Sequence, residues 1–390
     1  MHIGFVNFNT DEKKRVAKMM QTLKEQEAVE ELGIGRVRDH FSNTLFPGTS
    51  TLQHHAKYFV VLPWIYYNAI TGKKLESRKE VDEYIRKQEI KFTRCLLKAD
   101  EREGGITGKE KIAAAEKDYT RFVKYNPTYI YSSGMHKYGI VSDANIEKLI
   151  LWRNDVHHQE LTEDNEEKME HSKYIKTCGE DYDLSGDNKL SLALTQNEAE
   201  FLKGKIMALP GDPMLKKLIE SGQDMPKNYF EAGKLIESHQ EIFTIYRRSV
   251  LFSMLIHLLD WRYNHAYYKS FDKVDKADTC AKEYTELKDK YMEQGLKNVQ
   301  EYANLFEYTK AVDSKLTDFC EDCYKAMLED DTQRIDKLII ERERKVKEKR
   351  SKIGNSAYKD KDRGKPLPIT YRWLTVSTIV TEITNPQPKE

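Results

Sequence analysis

Cysteine is scarce, with five residues in 390. That excludes a disulfide framework, which needs dense and evenly paired cysteines. An excess of one charge is also missing, because 64 Lys+Arg stand against 64 Asp+Glu. A uniformly basic nucleic-acid coat is therefore excluded, although a local basic patch is not. No run approaches the roughly 18 apolar residues of a membrane span. The longest candidate, Val250 to Leu259, is bounded by Arg247, Arg248 and Asp260. The opening Met1-His2-Ile3-Gly4-Phe5 lacks a basic region followed by an apolar one, so no secretory signal is expected. What is present is charge, at 33% of residues, with a hydrophobic share of 39%. That share is a little under the usual ~45–50% yet sufficient for sizeable cores, which excludes wholesale disorder. At roughly 150 residues per domain the length suggests two or three domains. The reading is a soluble, cytoplasmic chain with no membrane segment and neither metal nor cofactor.

Most of the chain carries helical punctuation. Ile3 to Phe8 alternates like one short strand, and Thr10 then caps a helix through Val16, Met19, Met20 and Leu23. Val37, Phe41 and Leu45 mark a second helix that Pro47-Gly48 stops. Thr49, Ser50 and Thr51 are candidate caps for a third, Leu52 to about Leu62, which Pro63 kinks or ends. Ser77-Arg78-Lys79-Glu80 and Thr195-Gln196-Asn197-Glu198 are capping boxes. From Thr128 to Ser191 the texture turns loop-rich and acidic, around one helix near Asn145 to Arg153. Long helices follow from Tyr229 to about Lys352, with Ser249 to Trp261 as a buried centre. Ile369 to Trp373 suits a short strand or turn before a last helix. The prediction is a mainly α, multi-helix protein of two helical subdomains with minor β at the termini. Its segments are 1–150, a connection 151–190, a second helical domain 191–345, and a basic closing segment 346–390.

Several motifs bear on chemistry. Glu103 to Glu110 imitates a phosphate loop but lacks the first Gly and the final Ser or Thr, so it reads as a loop between helices. Asp181, Asp183, Ser185, Gly186 and Asp187 imitate a calcium loop, with Leu192 where a bidentate Glu must stand. Cys320-Glu321-Asp322-Cys323 is a CxxC without a second ligand pair. His257, Asp260 and Asn264 share a helix face, the pattern of a core histidine held by a carboxylate. Arg153-Asn154-Asp155-Val156-His157-His158 resembles the Arg-Asn-xxx-His signature of helical RNases. In that reading His158 moves the 2′-hydroxyl proton while Arg153 stabilises the phosphorane, with Asn154 between them; the alternative is a polar helix end.

The strongest charge asymmetry lies between Arg342 and Lys365, where eleven Lys/Arg meet four Asp/Glu. Arg342, Arg344, Lys345, Lys347, Lys349, Arg350, Lys352, Lys359, Lys361 and Arg363 are the candidate nucleic-acid contacts. A local excess of seven would give steep salt dependence. Tyr358, Tyr371 and Trp373 stand nearby to stack on bases. A solvated helix face is the competing account.

Glu31 to Asp39, then Leu45-Phe46-Pro47-Gly48-Thr49-Ser50-Thr51-Leu52-Gln53, then Lys57-Tyr58-Phe59 through Pro63-Trp64-Ile65-Tyr66, resemble a bacterial family of unknown function associated with anti-phage defence islands. Arg102 to Gly108, Leu194 to Leu202 and Tyr371-Arg372-Trp373 fit the same pattern, so the resemblance spans nearly the whole chain. Tyr129-Ile130-Tyr131 departs from it, where the family has a Trp-rich stretch. The resemblance implies a system rather than a reaction: a component that works with other defence proteins, and no catalytic residues carry over. Physically, Pro47-Gly48 makes a helix corner. Thr49, Ser50, Thr51 and Lys57 at the next helix start are candidate phosphate contacts, and a packed corner is the alternative. The favoured function is a non-catalytic defence component that binds partner proteins and nucleic acid, DNA or RNA, with oligomers compatible. The alternative is an RNase-like effector using Arg153 and His158.

Overall fold

Capping and apolar spacing dictate helices along most of the chain, and helices are what form. The computed structural model describes residues 31–72, 74–99, 104–162, 173–185 and 188–387, without side chains for 159–162. The first-strand and first-helix expectations, 3–8 and 10–23, lie outside the described residues. The protein is mainly α. Its longer helices are α1 (Gly35–Leu45), α2 (Tyr58–Thr71), α3 (Arg78–Ala99), α4 (Pro127–Lys137), α5 (Ile146–Thr162), α6 (Gln196–Met207) and α7 (Met214–Ser221). They continue with α8 (Gln240–Lys269), α9 (Val274–Tyr291), α10 (Val299–Lys310), α11 (Ser314–Leu328), α12 (Thr332–Lys347) and α13 (Trp373–Thr384). No strand forms among the described residues; β pairing is limited to the isolated bridges Val141–Ile175 and Thr195–Gln387.

The chain divides into two compact units, and neither is continuous in sequence. Unit I joins residues 31–40 to 248–369, and unit II joins 41–247 to 370–387. The sequence suggests consecutive segments instead; here the stretch 151–190 falls within unit II, and the closing segment divides between the two units.

Unit II is built on α2, which buries ten of its side chains, Pro63 among them. The sequence expects Pro63 to kink or end a helix beginning near Leu52. Instead α2 begins at Tyr58 and runs through Pro63 to Thr71. The amides that would have started the earlier helix are taken elsewhere. Tyr131 Oη accepts from the amides of His54 and His55, and Glu382 accepts from Ala56 N. An interior proline costs about 3 kcal/mol through its missing donor and ring clash. Burial of Phe59, Val60, Leu62, Ile65 and Tyr66 on every side of α2 offsets it. Around α2 pack α3, α4, α5 and α6, while α13 lies on α6 and α7.

In unit I, α10, α11 and α12 pack as successive hairpins. Asn298, Asp313 and Asp331 cap them by accepting from backbone amides three residues on. Tyr302 and Tyr324 stack at 4.1 Å between centroids, and their hydroxyls donate to Leu251 O and Leu296 O. The most apolar part of α8 is buried as the sequence predicts. By length and hydropathy Gln240–Lys269 meets the test for a membrane-crossing helix, yet 72% of its most apolar window is buried inside the protein.

Residues 351–369 form a strap with little helix of its own. The face of α8 holds it through backbone carbonyls. Ser253 donates to Ile369 O, Asn264 to Gly364 O, Tyr267 to Tyr358 O and Lys361 O, and Tyr268 to Arg363 O. His257 Nε2 lies 3.2 Å from Pro366 O. Of the strand or turn expected at Ile369 to Trp373, the turn forms. Tyr371 and Arg372 both adopt left-handed backbone, with φ 49° and 67°, which cannot extend a strand.

Candidate functional site

The Phe46-Pro47-Gly48-Thr49 corner is the first place to look for chemistry, and almost every polar group there is already engaged. Gly48 has φ 81°, and a Cβ on it would lie 2.5 Å from the Tyr138 ring. Gly134, on α4, lets that helix approach so closely that a Cβ would meet Gly48 O at 2.4 Å. The Thr49 hydroxyl donates back to Phe46 O. Gln53 Nε2 donates to Gly48 O and Ile130 O, while its backbone carbonyl accepts from Thr375 Oγ1. His55 sits between Glu382 Oε1 at 2.7 Å and Gly104 O at 2.8 Å.

Lys57 is the decisive residue of the corner. Its ammonium donates to both oxygens of Glu198 at 2.7 Å, and the two side chains are 3% and 0% exposed. Tyr182 Oη donates to the same carboxylate at 2.6 Å; burial first, then the Glu198 charge, push the phenol well above its ordinary range. Glu198 also completes the capping box of α6. Of the four candidate phosphate contacts, Thr49 and Lys57 are buried, Ser50 is half-buried and Thr51 is exposed. No helix starts beside Thr49, Ser50 and Thr51. The corner is packed, not open to an anion.

The Arg153-Asn154-xxx-His158 pattern lies on α5, with Arg153 and Asn154 buried. Arg153 is 1% exposed, its guanidinium 4.3 Å from the Tyr174 ring centroid and 5.0 Å from that of Trp152. Asn154 is fully buried. Its amide donates to Ala69 O and Ile70 O, and its carbonyl accepts from Leu75 N, so it seals the C-terminal end of α2. His158 is half-buried, with Nε2 buried and unbonded among the described residues.

The remaining motifs take ordinary places. Gly104 to Gly108 forms a loop into a 3-10 turn, with Thr107 N donating to Tyr58 Oη. Asp181 accepts from Trp64 Nε1 and Asp183 from Ser185 N; Gly186 and Asp187 lie outside the described residues. Cys320 and Cys323 are buried, and burial pushes the Cys320 thiol up to about 12. His257 is held by Tyr291 Oη at 2.9 Å and the Pro366 carbonyl, not by the carboxylate of Asp260 that the spacing suggested. Among the described residues no group of three His, Cys, Asp or Glu is placed to hold a metal ion.

The basic segment of unit I is where charge remains uncompensated. Four of its cations turn inward. Arg342 donates to Leu32 O and Lys315 O, while Lys347, Lys352 and Arg363 gather around Glu31. Arg344, Lys345, Lys349, Arg350, Lys359, Lys361 and Lys365 face solvent, and none forms an ion pair among the described residues. Of the segment's acids, Glu343 is buried, accepting from Tyr263 Oη, Ser351 Oγ and two amides. Glu348, Asp360 and Asp362 are exposed, which leaves a solvent-facing excess of seven minus three, or four. Tyr371 and Trp373, expected to stack on bases, are 2% and 3% exposed and belong to unit II. Only Tyr358 stays half-exposed, with Lys361 5.0 Å from its ring centroid. Alongside α12 runs a groove of about 930 Å³, lined by Arg36, Asp313, Phe319, Leu338, Arg342 and Lys345 among others.

The cation row was legible as a count in the sequence; its division into inward and outward halves was not. The inward anchor, Glu31, is about 320 residues away along the chain and carries no local signal. No curated protein and no solved structure matches the chain. A family model does match residues 1–328, and the chain thereby belongs to that family, described as a family of unknown function (DUF6361).

Proposed function

We propose that the protein is a non-catalytic component of a multi-protein bacterial anti-phage defence system, binding partner proteins and, through residues 344–365, the phosphates of nucleic acid. The observation that carries this reading is the set of seven solvent-facing cations without ion-pair partners among the described residues, on α12, the turn after it and the strap. Cations held this way neutralise phosphates and release counterions without reading sequence. The defence association rests on the resemblance of the Leu45 to Gln53 block and its companions, and the match to the family ends at residue 328, before the cation row. The groove beside α12 supplies the mix of apolar and charged lining that a partner segment requires.

The test is retention of mixed-sequence DNA and RNA at low ionic strength. An exposed excess of four predicts that log affinity falls with log salt with a slope of about −3 to −4, at roughly 0.9 per neutralised phosphate on duplex DNA. Reversing Lys345, Lys349, Arg350 and Lys361 to Glu abolishes retention for every sequence alike. Absence of salt-sensitive retention by the wild-type protein overturns the nucleic-acid half of the reading.

A further inference from the structure

Glu31 places one carboxylate oxygen among three cations from two directions. From its Oε1, Lys352 Nζ stands at 2.7 Å, Arg363 Nη1 at 3.0 Å and Lys347 Nζ at 3.5 Å. Lys347 ends α12, and Lys352 and Arg363 come from the strap. The cations are held in place before any ligand is considered. Lys347 is only 5% exposed. The Arg363 guanidinium donates to Asn264 Oδ1 and lies over the rings of Tyr263 and Tyr267, at 4.5 and 5.6 Å. A guanidinium fixed by stacking and hydrogen bonding, beside two ammonium groups, is the arrangement that recognises phosphate oxygens.

The cations around this point, Lys347, Lys352 and Arg363, outnumber the carboxylates of Glu31 and Glu343. Three cations meet the single carboxylate of Glu31. The other buried acid, Glu343, accepts from the Tyr263 hydroxyl, Ser351 Oγ and the amides of Lys352 and Ile353, all uncharged donors, and its negative charge also acts on Lys347. Burial and the Glu31 charge push the nearby Asp260 carboxyl up to about 7, so it offers little negative charge below neutrality. Burial pushes the Glu31 carboxyl itself upward, but Arg363, Lys352 and Lys347 outweigh it and hold the group at about 2. A structural ion pair needs one cation. Three around one oxygen leave room for a multiply charged anion.

We propose that Lys347, Lys352 and Arg363 form a phosphate-oxyanion site that Glu31 occupies in cis. Its ligand class is a phosphate group, free or within a phosphodiester backbone. The polymer form rests on the nucleic-acid reading above, whereas the anion site stands on its own geometry. Release of Glu31 would add three cations to the seven that already face solvent.

The experiment compares full-length wild type with Glu31→Gln, titrating inorganic phosphate at constant ionic strength against chloride and reading the thermal midpoint. Glu31→Gln is stabilised saturably by about several degrees, as expected for a ligand bound only by the folded state, and wild type by about one degree or less. Adding Lys347→Met to Glu31→Gln removes the response. In a second arm, Glu31→Gln binds a mixed-sequence duplex about tenfold or more tightly than wild type, with a salt slope steeper by about two to three. No phosphate response in Glu31→Gln beyond that of wild type overturns the site, even if duplex binding rises. A phosphate response with no duplex binding by either protein supports the site and overturns the nucleic-acid reading instead. Should Glu31→Gln fail to fold, Glu31→Asp keeps the charge but draws the carboxylate back by one methylene; a saturable phosphate response there supports the site, and none overturns it.

Discussion

Two ionic clusters, one in each unit, use the same side-chain types to opposite effect. At the corner of unit II, Lys57 and Glu198 pair one to one, sealed from water by Tyr182 and by the capping box of α6. At the end of α12 in unit I, three cations share Glu31, and all but Lys347 retain some exposure. The first arrangement leaves no residual charge, so its natural product is a fixed backbone. The second leaves an excess of positive charge at partly exposed side chains. The difference teaches that stoichiometry and burial, rather than residue type, separate a closed ion pair from a cluster that keeps unbalanced charge.

The comparison breaks first at Lys57. Lys57→Ala strands the fully buried Glu198 carboxylate and is expected to cost about 3–5 kcal/mol in urea unfolding, whereas the double variant Lys57→Met/Glu198→Leu recovers most of it. A cost under about 1 kcal/mol for the single variant would mean that the pair does not hold the corner.

A smaller effect sharpens the picture of unit I. The folded carboxyl of Asp260 lies up at about 7, through burial and the Glu31 charge against the opposing Arg363. The unfolded value is about 3.9. The folded state therefore binds the proton more tightly, and wild-type stability is lost as pH rises through the window from about 4 to 7. Asp260→Asn has no such slope. Its thermal midpoint relative to wild type should climb by a few degrees between pH 5 and 7 and level off above. A pH-independent difference would place Asp260 in water.

The smallest expected effect is at the outward cations. Lys349→Glu with Arg350→Glu should leave unfolding free energy within about 0.5 kcal/mol of wild type, since neither side chain forms an ion pair among the described residues. A loss above about 1 kcal/mol would show that these residues are anchored like Lys347.

The sequence was most legible where the physics is local. Thr195-Gln196-Asn197-Glu198 reads as a capping box because its reciprocal bonds span three residues, and the box is present. The second task of Glu198, holding Lys57 from 141 positions away, has no local signature. Ser249 to Trp261 reads as buried because its apolar residues surround the helix. Pro63 misleads because intrinsic propensity takes no account of the packing on every side of α2. Tyr371 and Trp373 look like stacking platforms beside a basic stretch, but a left-handed turn at Tyr371 and Arg372 carries them into the interior. Arg153 and Asn154 match a catalytic pattern because polar residues that close a helix end and residues that do chemistry are drawn from the same alphabet.

The strap over α8 is held by its carbonyl oxygens, which every residue possesses. Apart from Ser351, Lys352 and Arg363, whose side chains are themselves anchored, its path is therefore nearly blind to the side chains it displays. Lysines at 359, 361 and 365 could be traded for other residues without shifting the backbone that carries them. Natural variation should be able to rewrite the charge of this surface quickly while the helical scaffold beneath stays constant.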